Sequence, residues 1–164
     1  MIAAIPNPLV AYEAAFGCLL FVIVATMAAI DFREMILPNR LNLLLAVSGM
    51  GQTVVLQQPS FVDALLGALV GFVTLCGVAA LFRHHRGVEG LGFGDQKFSA
   101  AAGLWIGWQE MAHMLLIASC SALAFVAVRA AKRRKLDVAA RVPFGPFLGL
   151  GVMVCWVFAV VCRS

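Results

Sequence analysis

Two aspartates lie beside apolar runs of the sequence, where a carboxylate is costly. Asp31 ends the first apolar run, and Asp95 closes a glycine turn directly before another apolar run. A charged side chain at membrane depth costs about 3 kcal/mol or more, so each carboxylate is a candidate functional group. Two carboxylates that share one proton can activate water, and the pair therefore predicts general acid–base chemistry.

The segment after Asp31 contains residue types that do not suit a continuous membrane helix. Pro38 and Asn39 stop the first helix and set a turn before the next apolar run. Arg33 lies two residues after Asp31. It either stabilises the charged form of that carboxylate or anchors the end of the helix at the membrane interface.

The other two unusual segments are rich in glycine and proline. Residues 87–97 place Gly92 and Gly94 directly before Asp95. Irregular, glycine-rich backbone is tolerated at membrane depth only where it is buried in protein or lines a wet cavity. Its spacing fits neither a P-loop nor a dinucleotide-binding fingerprint. Residues 142–147 surround a glycine with two prolines, which by itself indicates a rigid helix start.

The elements that must position these groups are membrane helices. Hydrophobic residues make up 63% of the 164 residues and charged residues only 12%, whereas globular chains carry about 25% charged residues. The mean hydropathy is +0.98. The composition therefore predicts an all-α, polytopic membrane protein. Six apolar segments are expected, at residues 9–30, 41–57, 62–82, 97–109, 111–130 and 144–162.

The basic residues indicate the orientation of these helices. Residues 31–40, 83–97 and 129–141 contain 11 of the 12 lysines and arginines, and these three segments are alternate loops. The positive-inside rule places them in the cytoplasm, so Asp31 and Asp95 are expected on the same side of the membrane. A dense basic face with interleaved aromatic residues is missing from the sequence, which argues against nucleic-acid binding.

Other polar residues have structural explanations. Ser60 and Asp63 have the spacing of a capping box at the start of the third helix. His84 and His85 are tempting as a metal site, but Glu89 is the only obvious third ligand, and we expect solvation at the interface instead. The five cysteines lie in apolar runs without metal-binding spacing and are expected to be packing residues. We therefore predict no metal and no cofactor.

Taken together, the motifs resemble those of the prepilin peptidases, or type IV leader peptidases, which are membrane aspartic proteases. The similarity covers nearly the whole chain, with the three motifs in order. The resemblance implies that Asp31 and Asp95 are the catalytic pair. It also implies that other residues bind substrate or shape the site, namely Arg33, Pro38, Asn39, Gly92, Gly94, Lys97, Pro143, Gly145 and Pro146.

The same resemblance implies a location and a substrate class. Prepilin or pseudopilin precursors would lose a short basic leader at the cytoplasmic face of the bacterial inner membrane, after a glycine. Membrane lipids are the other expected partners, and the oligomeric state stays open. We expect residues 1–164 to form a single peptidase domain without the methyltransferase half of bifunctional members.

Two other interpretations were weighed. Intramembrane proteases of the presenilin type also use Gly-x-Gly-Asp, but Ile30 rather than tyrosine precedes Asp31, and no Pro-Ala-Leu motif is present. A non-enzymatic membrane scaffold or transporter subunit explains the hydrophobicity but not the three motifs. Both are less consistent with the sequence than a peptidase.

Overall fold

The computed structural model describes residues 8–87, 90–133 and 142–162. Over these residues the chain forms six helices and no strand, which confirms the predicted all-α class. The helices are α1 (Pro8–Glu34), α2 (Asn39–Leu56), α3 (Phe61–Arg86), α4 (Phe93–Ile106), α5 (Met111–Arg133) and α6 (Gly145–Val161).

The six helices differ in how well they suit the bilayer. Helices α1, α3 and α5 are long and apolar enough to cross a membrane, and α6 is a shorter apolar helix. Helix α4 has only 14 residues, or about 21 Å, which is less than the hydrocarbon thickness of about 30 Å. Helix α2 contains polar residues that are buried in the protein. The chain is therefore an integral membrane protein whose inner helices depend on the outer ones.

Helix α4 lies at the centre and packs against α2, α3 and α6. Its closest approach is to α3, where the backbones of Gly67 and Gly103 touch. A Cβ atom on Gly103 would collide with the backbone of Gly67. The prediction that these glycines serve close helix packing is thus confirmed.

The start of α4 is recessed relative to the end of α3. Gln96, in the first turns of α4, accepts a 3.0 Å hydrogen bond from the thiol of Cys76, and the ring of Phe93 lies edge-on to that of Phe72. Helix α3 continues to Arg86, ten residues or about 15 Å beyond Cys76. The segment before α4 therefore turns back toward the interior before the helix begins.

The far end of α4 stops inside the protein, and α2 satisfies its last carbonyls. The Thr53 hydroxyl donates to the Leu104 carbonyl, and the Gln52 amide donates to the Trp105 carbonyl at 3.2 Å. The Trp156 indole donates in turn to the Gln52 side-chain oxygen at 2.6 Å. A helix end without water needs such partners, and this need explains why α2 carries polar residues.

The predicted capping box is confirmed. Ser60 caps α3, and its hydroxyl accepts from the backbone N–H of Asp63 at 3.1 Å. Asp63 also accepts from Trp108 and Gln109 in the α4–α5 connection. His84 lies exposed in the last turn of α3 beside His85. Glu89, the third ligand considered above, is outside the described residues, and within those residues no three metal-ligating side chains cluster.

Candidate active site

The two aspartates meet in one cavity of about 240 Å³. The walls come from all three segments that the sequence singled out. Asp31 and Met35 belong to the end of α1, Gly90–Asp95 contribute one wall, and residues 142–144 close the cavity in front of α6. Residues that are far apart in sequence therefore form one site.

Asp31 is held at its position by the start of the last helix. Its side chain is 5% exposed, and one carboxylate oxygen accepts a 3.0 Å hydrogen bond from the backbone N–H of Gly145. Gly145 is the first residue of α6, so its N–H is one of those that a helix cannot satisfy internally. The positive end of the helix dipole also favours a carboxylate there.

Asp95 occupies the third position of α4, after the N-cap residue Gly92. The Asp95 backbone N–H donates to the Gly92 carbonyl at 3.2 Å, and a backbone hydrogen bond from Gly92 reaches the Asp95 carboxylate. This arrangement resembles half of a capping box, which gives Asp95 a structural role as well. Capping alone does not require a second carboxylate, yet Asp31 is close enough for its charge to act on Asp95.

The start of α2 supports the glycine turn from below. The Asn42 amide donates to the Gly94 carbonyl at 3.3 Å. A Cβ atom on Gly94 would lie 2.9 Å from the Leu37 Cβ, so only glycine lets the turn approach this closely. Pro38 is the N-cap residue of α2 and is partly buried.

Lys97 lies on the opposite side of α4 from the aspartate cavity. Its ammonium donates to the Asn39 side-chain oxygen at 2.8 Å and lies 4.6 Å from the centre of the Phe93 ring. Both Lys97 and Asn39 line a groove between α2, α3 and α4, and neither lines the aspartate cavity. The pair joins the starts of α2 and α4, so its contribution to the site is indirect.

The remaining predicted site residues take different places. Pro143 is buried and lines the aspartate cavity, while Pro146 lies in the first turn of α6 and is partly buried. Arg33 is exposed, and within the described residues no ion pair joins it to Asp31. Of the two roles considered for Arg33, the structure is consistent with anchoring at the interface.

Several residues around the site were missed in the sequence. Asn42 is 4% exposed within an apolar helix, and such a buried polar residue was a detectable signal. Met35, Leu91 and Phe144 line the cavity, but their side chains carry no signal that separates them from other apolar residues.

The sequence comparisons agree with this geometry. The Type IV leader peptidase family matches residues 18–127. A prepilin leader peptidase/N-methyltransferase of Burkholderia pseudomallei (strain 1026b) is 36% identical over 148 residues, covering 90% of this chain and 47% of that protein. The protein of the same name from Escherichia coli (strain K12) is 37% identical over 138 residues, covering 83% and 60%.

A shorter relative covers more of its own length. Leader peptidase HopD of Escherichia coli is 35% identical over 127 residues, which are 77% of this chain and 82% of that protein. The chain spans about half the length of the first curated relatives that it matches. No solved structure matches it. The family match over most of the chain, together with the convergence of the three motifs, shows that the chain belongs to the Type IV leader peptidase family.

Proposed function

We propose that this protein is a membrane aspartic endopeptidase that removes the basic leader from type IV pilin-like precursors. The observation that carries the proposal is that Asp31 and Asp95 line the same small cavity. A purely structural pair of aspartates needs no such cavity between them. The names of the relatives, which include leader peptidases, support the substrate class.

The proposed mechanism uses both carboxylates and a water molecule. Two carboxylates held close together do not both ionise easily, so the pair shares one proton. The ionised aspartate takes a proton from water as the water oxygen attacks the scissile carbonyl carbon. The protonated aspartate gives its proton to the carbonyl oxygen. Return of a proton to the amide nitrogen then breaks the C–N bond and regenerates the pair.

The surrounding structure supports this chemistry in two ways. The Gly145 N–H keeps Asp31 in one orientation, and the turn at Gly92 does the same for Asp95. Fixed hydrogen bonds of this kind reduce the reorganisation that the reaction requires. We propose no metal and no cofactor.

We further propose that the site opens to the cytoplasm across the bacterial inner membrane. The cavity lies at the end of the bundle where α1 ends and where α2, α4 and α6 begin. The three loops at this end carry 11 of the 12 basic residues, which supports a cytoplasmic orientation. The same residues are suited to contact anionic lipid head groups. The prediction that residues 1–164 act as one peptidase domain rests on the same three motifs.

The decisive experiment replaces each aspartate by its uncharged isostere. Asp31→Asn and Asp95→Asn are each expected to abolish cleavage of a co-expressed prepilin in a strain that lacks other such peptidases. The mature N-terminus is mapped by mass spectrometry. Full processing by either variant would rule out the two-aspartate mechanism.

Glu34→Gln is the matched control. It makes the same carboxylate-to-amide change one turn from Asp31, at an exposed residue that ends α1. We expect it to retain wild-type cleavage. All three variants should be present in the membrane at wild-type levels, which separates loss of chemistry from loss of folding.

A further inference from the structure

A second cavity adjoins the aspartate cavity, and the mechanism above does not use it. It has a volume of about 520 Å³, and Gly90 and Leu91 line both cavities. We infer that this space, the α3 cavity, binds the apolar side chain of the substrate residue that follows the scissile bond. This inference rests on the proposed peptidase function and adds a determinant of its specificity.

The α3 cavity exists because one face of α3 is built from small residues. Cys76, Ala79, Ala80 and Arg83 line it, with the spacing that places residues on one side of a helix. Opposite them, the chain turns back toward the interior before α4 begins, so no larger side chain fills the gap. The volume lies within the range of about 300–1,000 Å³ that is usual for ligand pockets.

The lining favours an apolar group over a polar one. At the inner end, the Cys76 thiol already donates to the Gln96 side-chain oxygen at 3.0 Å, so these two polar groups satisfy each other. Phe93 adds an aromatic surface. Arg83, in the last turn of α3, is exposed and gives the cavity one cationic edge. An apolar pocket with few polar groups at its edge is typical of sites that bind an apolar side chain.

The charge of Arg83 indicates which side of the cleavage point binds here. A basic leader would be repelled by this guanidinium, so the leader is expected to lie elsewhere. From Arg83 the cavity extends to Cys76, seven residues or about 10 Å toward the membrane interior. The apolar segment of a precursor begins after the cleavage point and enters the membrane in that direction. Its first side chain is therefore the group that reaches the α3 cavity.

The inference is tested by filling the cavity with Ala79→Leu. Two precursors are compared, with leucine or alanine directly after the cleavage point, and kcat/KM is measured for each. We expect the wild type to favour the leucine precursor about tenfold, since a few methylenes in an apolar pocket are worth this much. Ala79→Leu should remove that preference by slowing the leucine precursor about tenfold, with less than about twofold change for the alanine precursor.

Gly77→Leu is the matched control on the same helix. A side chain at Gly77 meets nothing within 4 Å, so this variant should keep the wild-type preference. An unchanged preference in Ala79→Leu, in protein that reaches the membrane and cleaves, would overturn the assignment of the α3 cavity. Failure of the wild type to cleave either precursor would instead count against the proposed function itself.

A second arm fills the cavity in protein that has already folded. The exposed residues Cys18, Cys120 and Cys162 are replaced by alanine, which leaves Cys76 and the buried Cys155. Benzyl methanethiosulfonate then forms a mixed disulfide with the Cys76 thiol and releases methanesulfinic acid. Cleavage of the leucine precursor should fall about tenfold and return when dithiothreitol reduces the disulfide. Unchanged cleavage, with complete modification of Cys76 shown by mass spectrometry, would contradict the inference.

Discussion

The carboxylate of Asp31 and the backbone N–H of Gly145 lie 3.0 Å apart, although 114 residues separate them in the chain. This hydrogen bond joins the end of α1 to the start of α6 and fixes one half of the proposed catalytic pair. It assigns a direct role to a glycine between two prolines, a motif that by itself indicates only a rigid helix start.

The first prediction concerns the space beside this hydrogen bond. In Gly145→Ala, the new Cβ would lie 2.9 Å from an Asp31 carboxylate oxygen and 3.0 Å from the Leu37 side chain. The carboxylate must then shift, and we expect leader cleavage to fall about 10- to 100-fold, as small displacements of catalytic groups do. Gly77→Ala, which meets no neighbour, should cleave normally. Equal activity of the two variants would show that the position of Asp31 tolerates such a shift.

The second prediction separates support from catalysis at Lys97. Lys97→Met and Asn39→Leu each remove the hydrogen bond between the starts of α2 and α4. Each should lower the free energy of unfolding by about 1 kcal/mol and slow cleavage several-fold without abolishing it. Because the two residues share one interaction, the double variant should lose little more than either single variant.

Both quantities are measured on purified protein in detergent. A Lys97→Met variant that folds normally but has no activity would contradict the indirect role and would place the ammonium in the chemistry. Strict additivity of the two substitutions would show that their hydrogen bond does not link the helices.

The elements and the catalytic candidates were predictable because their signals are local. The apolar runs and the basic loops showed six helices and placed both aspartates on one side. Lys97 shows where this reasoning reached its limit. It was grouped with Asp95 because it is close in sequence, whereas two residues correspond to about 200° around a helix and place it on the other face.

The contacts that join the three motifs could not be derived in the same way. Asn42 and Gly94 are 52 residues apart, and nothing in the spacing of either residue identifies the other. The hydrogen bond from Gly145 depends on how α6 packs on α1, which is a property of the complete bundle. Sequence patterns predict which residues are costly, while tertiary packing decides which of them meet.

The third prediction is a bell-shaped dependence of cleavage on pH. If the two aspartates share one proton, the active form carries one negative charge on the pair. The rate should fall at low pH, as the second carboxylate gains a proton, and at high pH, as the shared proton is lost. The dependence of kcat/KM on pH with a soluble detergent assay checks this. A rate that stays constant across the range would contradict proton sharing, and Glu34→Gln should leave the profile unchanged.

The fourth prediction concerns the far end of α4. Gln52 is 2% exposed; its amide donates to the Trp105 carbonyl, and its oxygen accepts from Trp156. Gln52→Leu would leave both partners buried without a hydrogen bond, and each such group costs about 1–3 kcal/mol. We expect a loss of about 3 kcal/mol in the free energy of unfolding, measured by thermal unfolding in detergent.

Gln58→Leu is the control for this change. Its side chain is exposed, and only its backbone carbonyl accepts from Gln52, so its stability should stay near that of the wild type. Since α4 carries Asp95 at its other end, cleavage by Gln52→Leu should fail at a lower temperature than cleavage by the wild type. If Gln52→Leu and Gln58→Leu unfold at the same temperature, the end of α4 does not depend on Gln52.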